Sequence, residues 1–316
     1  MIELPKCKYN GRIREEVIGV GENAIKIGGE TALPFHTFEG EIPNPPKIAL
    51  EVYDIKPVDW APACLEPFRD VLDDPVAWAK KCVEEYKAEL VCLQLVSTDP
   101  TGENRSAEEA AEIAKKVTDA VPVPVIVYGS GNVEKDGEVL KSVSSTCEGK
   151  NILLGPAKEE NYKVIGASAI GYKHLVSALT PIDVNLCKQL NILLGNLGVQ
   201  DDRIVIDPTT GGLGYGLEYT YSVMERGRLA ALIQGDQKMQ MPMICNLGRE
   251  AWKVKEVRIE DPNFGDIKKR GIIWEAITAI SLCLAGANIL VMRHPESAAL
   301  VKEIIDELLG IEKKEN

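Results

Sequence analysis

The stretch that decides the fold runs from residue 174 to residue 206. It opens with a short apolar run, His174-Leu-Val-Ser-Ala178, and closes with another, Arg203-Ile-Val-Ile206. Between them Ile182, Leu186, Leu190, Leu193 and Leu197 step by three and four, the spacing of one helical face. Thr180-Pro-Ile-Asp183 precedes that stripe and has the form of a capping box. An apolar run, an amphipathic helix and a second apolar run make one strand–helix–strand unit. Runs apolar on both sides suit parallel strands covered on both faces.

The same unit repeats in both directions. Upstream lie Ile48-Ala-Leu-Glu-Val52, Leu90-Val-Cys-Leu-Gln-Leu-Val96, Val123-Pro-Val-Ile-Val127 and Asn151-Ile-Leu-Leu154; downstream lie Pro242-Met-Ile-Cys245 and Asn288-Ile-Leu-Val-Met292. Helical stripes fill the gaps: Val76, Ala79, Val83 and Tyr86; Ala107, Ala110, Ala114 and Val117; Ile273, Ile277, Ile280 and Leu284; Ala298, Val301, Ile305 and Leu308. Each stripe is expected to lie on the sheet. Asp74 before Pro75, Ser106-Ala-Glu-Glu109 and His294-Pro295 mark helix starts. Eight strands, each followed by a helix, predict an α/β fold of the (β/α)8 TIM-barrel type over residues 47–316. An open doubly wound sheet is the alternative. Its usual Gly-x-Gly-x-x-Gly turn is missing, since Gly19-Val-Gly21 and Gly129-Ser-Gly131 both lack the third glycine.

Residues 1–46 stand apart. Ile25-Lys-Ile-Gly-Gly-Glu30 and Thr31-Ala-Leu-Pro-Phe-His-Thr-Phe38 read as a β-hairpin-like arm, and Pro43, Pro45 and Pro46 as a stiff linker. The arm either plugs the amino-terminal end of the barrel or docks on another subunit.

Composition narrows the function. The chain has 316 residues, 45% hydrophobic, and a formal net charge of −12. That charge argues against nucleic acid or an anionic membrane as partner, because both need clustered Lys and Arg. No apolar leader opens the chain. The longest apolar stretch, Ala276 to Met292, is broken by Thr278, Ser281, Gly286 and Asn288. The expectation is a soluble, cytoplasmic protein. Eight cysteines occur without a Cys-x-x-Cys pair, which argues against an internal iron–sulfur cluster or a disulfide framework. His36, His174 and His294 are too scattered for a zinc site. No catalytic metal or self-sufficient catalytic constellation is visible, which points to a binding or carrier role, or to chemistry supplied by a cofactor.

In barrels the working residues come from the loops after the strands. The first loop, Tyr53-Asp-Ile-Lys-Pro-Val-Asp-Trp60, carries two acids and a tryptophan. The sixth, Asp207-Pro-Thr-Thr-Gly-Gly-Leu-Gly-Tyr-Gly216, packs four glycines into its last six residues. Such a loop bares its backbone to a large flat ligand and offers amide donors at a helix start. The other reading is a tight turn that needs positive φ angles. The candidate binding residues are Asp207, Thr209, Thr210, Gly211, Gly212, Leu213, Gly214 and Tyr215, with Thr180 and Asn185 from the fifth loop and Asn246 from the seventh.

The run Ile206 to Tyr219, continued by Ser222-Val-Met-Glu-Arg226, resembles the small subunit of the corrinoid iron–sulfur protein, the delta subunit of CO dehydrogenase/acetyl-CoA synthase. Ile165-Gly-Ala-Ser-Ala-Ile-Gly171, Ala178 to Asn185 and Ile27 to Phe35 carry the same resemblance, which covers nearly the whole chain. It implies a methyl carrier of the anaerobic acetyl-CoA (Wood–Ljungdahl) pathway. A cobamide would be shared with the large subunit, and a four-iron–four-sulfur cluster would belong to that partner alone. A methyltetrahydrofolate:corrinoid methyltransferase would load the methyl group, and acetyl-CoA synthase/CO dehydrogenase would receive it. Two alternatives stay open: a pterin- or methyltetrahydrofolate-dependent corrinoid methyltransferase, since Asp207-Pro208 resembles an Asp-Pro of pterin-binding barrels and Asn185 and Asn246 would contact a pterin, and a purely structural subunit.

Overall fold

A computed structural model describes residues 5–311. The expected arm and barrel, 1–46 and 47–316, extend at their outer ends beyond those residues. The chain begins with an antiparallel hairpin, β1 (Glu15–Ile18) and β2 (Ile25–Gly28). Eight parallel strands follow: β3 (Lys47–Tyr53), β4 (Leu90–Gln94), β5 (Val125–Tyr128), β6 (Leu153–Ala157), β7 (Leu175–Leu179), β8 (Ile204–Asp207), β9 (Ile244–Asn246) and β10 (Ile289–Met292). Their order is β8-β7-β6-β5-β4-β3-β10-β9. A bridge between Ile206 and Met243, with Ile206 N donating to Pro242 O at 2.9 Å, joins the two ends. The sheet therefore closes into a (β/α)8 barrel, and the open sheet is excluded.

Helix starts follow local chemistry. Asp74 accepts from the amides of Val76 and Ala77 ahead of Pro75–Glu84. Ser106 and Glu109 form the reciprocal capping box of Ala107–Ala120. His294 Nδ1 accepts from Glu296 N and opens Pro295–Leu309. The fifth loop differs from expectation. Thr180 puts its hydroxyl on Cys187 Sγ at 2.8 Å, and Asp183 alone caps Val184–Leu197, accepting from the amides of Asn185 and Leu186. The helix starts late because Thr180 still belongs to the strand end, its amide bonded to Asp207 O.

One helical face also differs from expectation. Ile273, Ile277 and Leu284 point to solvent, while Ile272, Ala276, Ala279, Leu282 and Cys283 lie on the barrel. Helix Ile267–Ala285 is apolar nearly all round, so its stripe does not identify the inner face. Leu308 is likewise exposed, although Val301 and Ile305 of the same helix are buried.

The hairpin is the floor of the barrel. Ile18 and Ile27 are fully buried among the inward side chains Leu90, Leu153, Leu175, Ile244 and Ile289. Asn151 fastens it, donating to Val17 O and Gly19 O at 2.8 and 3.0 Å and accepting from Gly19 N. The arm therefore acts as the plug. Its strands lie at 15–18 and 25–28, and Thr31–Phe38 forms turns instead of a strand. Gly28 ends β2 at φ +78, where an added Cβ would meet Arg14 O at 2.0 Å.

Ile27→Ala should lower unfolding free energy by roughly 2–4 kcal/mol, the usual cost of a large-to-small core change. Denaturant titration measures it. A loss below about 0.5 kcal/mol, the range of ordinary surface changes, would show that the hairpin is not part of the core.

Candidate functional site

A parallel strand turns alternate side chains inward, and the last inward positions face the carboxyl-terminal mouth. There the apolar filling stops. Glu51 and Tyr53 of β3, Gln94 of β4, Tyr128 of β5, Asp207 of β8 and Asn246 of β9 line a cleft of about 550 Å³. Beneath them Cys92, Ile126, Val205 and Val291 close off the interior. Lys158, Thr209, Thr210 and Arg249 extend the wall upward from the loops.

One wall is held by a buried ionic knot. Arg293, just past β10, pairs its Nε with Glu51 and gives a second bond to the Tyr53 hydroxyl at 2.7 Å. Its guanidinium lies 4.3 Å from the Trp60 ring centre and 5.5 Å from that of Tyr53. Burial works against the charge of Arg293, but Glu51, with Tyr53 and Cys64 behind it, outweighs burial and raises the pKa. Burial, then Glu51, pushes Tyr53 up to about 12.

The opposite wall centres on Asp207, which is 2% exposed. Its carboxylate accepts from Thr209 N at 3.0 Å and from the Tyr128 hydroxyl at 3.0 Å. Tyr128 also meets Ser177 Oγ at 2.6 Å. Burial pushes Asp207 up to about 6. Thr209 sits at φ +62, uncommon for a β-branched residue. Two bonds hold it there: its amide to Asp207, and its hydroxyl to Thr180 O at 2.6 Å. Two buried polar atoms in the cleft wall, Asn246 Oδ1 and the Thr210 hydroxyl, make no hydrogen bond of good geometry, the hydroxyl lying beside the Cys245 thiol. Groups of this kind are normally satisfied, so they point to a ligand or water.

The glycine-rich loop is explained by its own turn. A Cβ on Gly211 would lie 2.4 Å from Gly216 O, and Gly214 and Gly216 sit at φ +76 and +100. Its amides are used internally: Gly211 N bonds Thr220 Oγ1 at 2.8 Å, and Tyr215 N and Leu217 N bond Gly212 O. Those three amides are therefore not offered to a ligand. Of the expected residues, Asp207, Thr209, Thr210 and Asn246 come together in the cleft. Thr180 lines an adjoining groove with Leu179, Leu186 and Leu190. Gly211, Gly212, Leu213, Gly214 and Tyr215 do not line the cleft, although Gly212 packs against Glu250 at its rim; the Tyr215 hydroxyl bonds Glu256 at 2.9 Å, and Asn185 is exposed on the first turn of its helix. Sequence reasoning missed Glu51, Gln94, Tyr128, Lys158 and Arg249. The signal was present for two of them: Glu51 and Gln94 are the polar interruptions of apolar runs.

Residues 15–305 match the family model described as CO dehydrogenase/acetyl-CoA synthase delta subunit. The chain belongs to that family. It is 40% identical to the acetyl-CoA decarbonylase/synthase complex subunit delta of Archaeoglobus fulgidus over 96% of this chain and 70% of the relative. It is 40% identical to subunit delta 2 of the same complex from Methanosarcina acetivorans, over 91% and 67%. The Methanopyrus kandleri delta subunit is 38% identical over 91% and 71%. Among solved structures, this delta-family barrel is similar to dihydropteroate synthase from Xanthomonas albilineans, determined with 4-aminobenzoic acid, at TM-score 0.60 and 10% identity over 94% of this chain and 98% of that one. The Vibrio fischeri enzyme gives TM-score 0.60 at 12% identity over 90% and 99%. At such identity the likeness is one of fold. Among the described residues no helix is long and apolar enough to cross a membrane, and no cluster of three His, Cys, Asp or Glu side chains could hold a metal ion.

The environment of Asp207 makes a signed prediction. In the unfolded chain it ionises near its ordinary 3.8; in the native chain it keeps its proton to about 6. Stability must therefore fall as pH rises between those values and stay reduced above them. Asp207→Asn cannot ionise and should gain stability relative to the parent by about 3 kcal/mol between pH 3.5 and pH 7. Denaturant unfolding across that range checks it, and a pH-independent difference would show that Asp207 titrates normally.

Proposed function

We propose that this delta-family chain is the small subunit of a corrinoid methyl carrier in an acetyl-CoA decarbonylase/synthase-type complex, and that its barrel mouth is one wall of the cobamide site. The large subunit supplies the other wall and the four-iron–four-sulfur cluster. A methyltetrahydrofolate:corrinoid methyltransferase loads the methyl group, and acetyl-CoA synthase/CO dehydrogenase removes it.

Family membership sets the class, and one observation carries the site: Asn246 Oδ1 is a buried acceptor without a partner, and with the Thr210 hydroxyl and Asp207 it lines one polar mouth. A corrin ring carries amide arms around its rim, and amide N–H groups are the donors that Asn246 Oδ1 lacks. Cobalt in such a ring supplies a centre that accepts and releases a methyl group. The chain's own residues would orient the ring. Thr210 and Asn246 would take its amide arms, the Arg293–Glu51 knot would keep one wall fixed, and the apolar layer below would keep water from entering underneath. No histidine lines the mouth cleft: His36 lies in the amino-terminal arm, His174 receives Ile152 N at the far end of the barrel, and His294, just past β10, is buried against Trp252 with its Nδ1 capping the last helix. That supports a cobamide with no histidine ligand from this chain. Seven of the eight thiols are buried and the eighth, Cys7, is exposed, which fits a cluster held by the partner.

A second reading, a pterin- or methyltetrahydrofolate-dependent corrinoid methyltransferase, draws support from the same mouth. Asp207 and Asn246 offer a carboxyl and an amide to a flat nitrogen heterocycle. Transfer of methyl to free cob(I)alamin by this chain alone would favour it.

The test is an anaerobic absorption spectrum after incubation with cobamide and desalting, with and without the large subunit. A corrinoid band retained only with the partner supports the methyl carrier. No retained band in either sample contradicts it. Asn246→Ala should weaken cobamide binding by roughly tenfold, the worth of one or two hydrogen bonds, with subunit assembly unchanged. Equal affinity would remove Asn246 from the site.

A further inference from the structure

The mouth holds two cations that form no ion pair among the described residues, although Lys158 lies within electrostatic reach of Asp207 and Asp136, and Arg249 of Asp99. Lys158, after β6, gives its ammonium only to the backbone oxygen of Gly131 at 3.2 Å. Arg249, in the short helix after β9, makes no hydrogen bond or ion pair among the described residues. The acids of the same cleft are in the opposite state. Glu51 is paired with Arg293, and Glu250 with Lys253. Asp99 accepts from the amide and hydroxyl of Thr101 at 2.8 Å each. Asp207 is bonded to Tyr128 and Thr209. Asp59 alone has no side-chain partner, and it is exposed on the β3 side.

In a chain of net charge −12, two cations without ion-pair partners at one cleft, Lys158 half-buried and Arg249 exposed at its rim, stand out. Lys158 and Arg249 flank the ends of β7 and β8, the arc that also carries the Thr210 hydroxyl and lies beside Asn246 Oδ1. Two cations and two neutral polar groups on one arc form a surface suited to an oxyanion joined to an amide-rich or heterocyclic body.

We infer that Lys158 and Arg249 are the anion-recognition side of the mouth and bind an oxyanion carried by the ligand, a phosphodiester or a carboxylate. The inference rests on the mouth being the ligand site. A cobamide brings a phosphodiester in its nucleotide loop. A folate-type methyl donor brings carboxylates on its glutamate tail. The two sources share one chemistry, and truncated ligands separate them. Lys158 and Arg249 act here as positioning residues, distant in role from the reacting methyl group.

The experiment uses the chain assembled with its large subunit, under anaerobic conditions, in four forms: parent, Arg249→Gln, Lys158→Gln and the double variant. Four ligands are titrated: cobalamin; cobinamide, which keeps the ring and amide arms but lacks the phosphodiester and base; methyltetrahydrofolate; and a methyltetrahydropterin without the glutamate tail. Corrin absorbance and calorimetry read the affinities. The expected result is a loss of roughly tenfold for one anionic ligand on removing Arg249, a shallower salt dependence, and no change for its truncated counterpart. Which anionic ligand responds identifies the source. Parallel losses for intact and truncated ligands, or no loss for either anion, would overturn the inference and leave the mouth site standing. Failure of the parent to bind any of the four would overturn the mouth reading, and this inference with it.

Discussion

Side chains of a β-strand alternate, and eight parallel strands closed into a ring give every inward side chain only three destinations: the floor, the filled interior or the mouth. The rest of this molecule follows from that constraint. At the floor, Leu90, Leu153, Leu175, Ile244 and Ile289 would meet water, and the hairpin's Ile18 and Ile27 cover them. In the interior, Cys92, Ile126, Val205 and Val291 leave no room for solvent. At the mouth nothing remains to cover, and the polar residues Glu51, Gln94, Tyr128, Asp207 and Asn246 collect there. The ring itself is joined most sparsely between β8 and β9, where one bridge at Ile206 closes it. Both strands that flank this seam send residues into the cleft.

Polar groups at such depth need partners, and the partners give the site its stiffness. Arg293 ties β3 and the Trp60 loop to the end of β10, while its own amide and that of His294 bond the Glu275 carboxylate at 2.6 and 3.1 Å. A buried pair of this sort adds little net stability over an apolar substitute, but removing one member strands the other. Its role here is geometric. Asp207 does the same for the opposite wall, drawing Tyr128 and Thr209 together and helping to hold Thr209 in a left-handed conformation. Against these satisfied groups, the Thr210 hydroxyl, Asn246 Oδ1 and the cations Lys158 and Arg249, which form no ion pair among the described residues, stand out on one arc.

Much of the architecture was legible before any coordinates. The eight apolar runs became the eight strands because burial on both faces leaves a mark that no amphipathic element shares. Asp74 and Ser106 capped the helices they precede, since capping is local chemistry. What escaped was set by non-local facts. Helix Ile267–Ala285 is apolar around its girth, so only the neighbours it packs against could tell Ile272 from Ile273. The hairpin's extent depended on Gly28 passing close to Arg14 O, a contact between strands. The site was half legible. Asp207, Thr209, Thr210 and Asn246 sit where loops after strands should bring them, but Glu51, Gln94 and Tyr128 lie inside strands and gain meaning only when the ring assigns them a face. Glycines of the sixth loop suggested an open lip, and instead they let the loop fold on itself, with Gly211 against Gly216 O.

The most direct measurement of the central claim, that the ligand face is the carboxyl-terminal mouth and the hairpin end is structural, is amide hydrogen exchange of the chain assembled with its large subunit, with and without cobamide. Added cobamide should slow exchange in segments 94–99, 128–131, 207–211 and 246–250 and leave 15–28 unchanged. Protection confined to the hairpin end, or none at the mouth from a bound cobamide, would contradict the account.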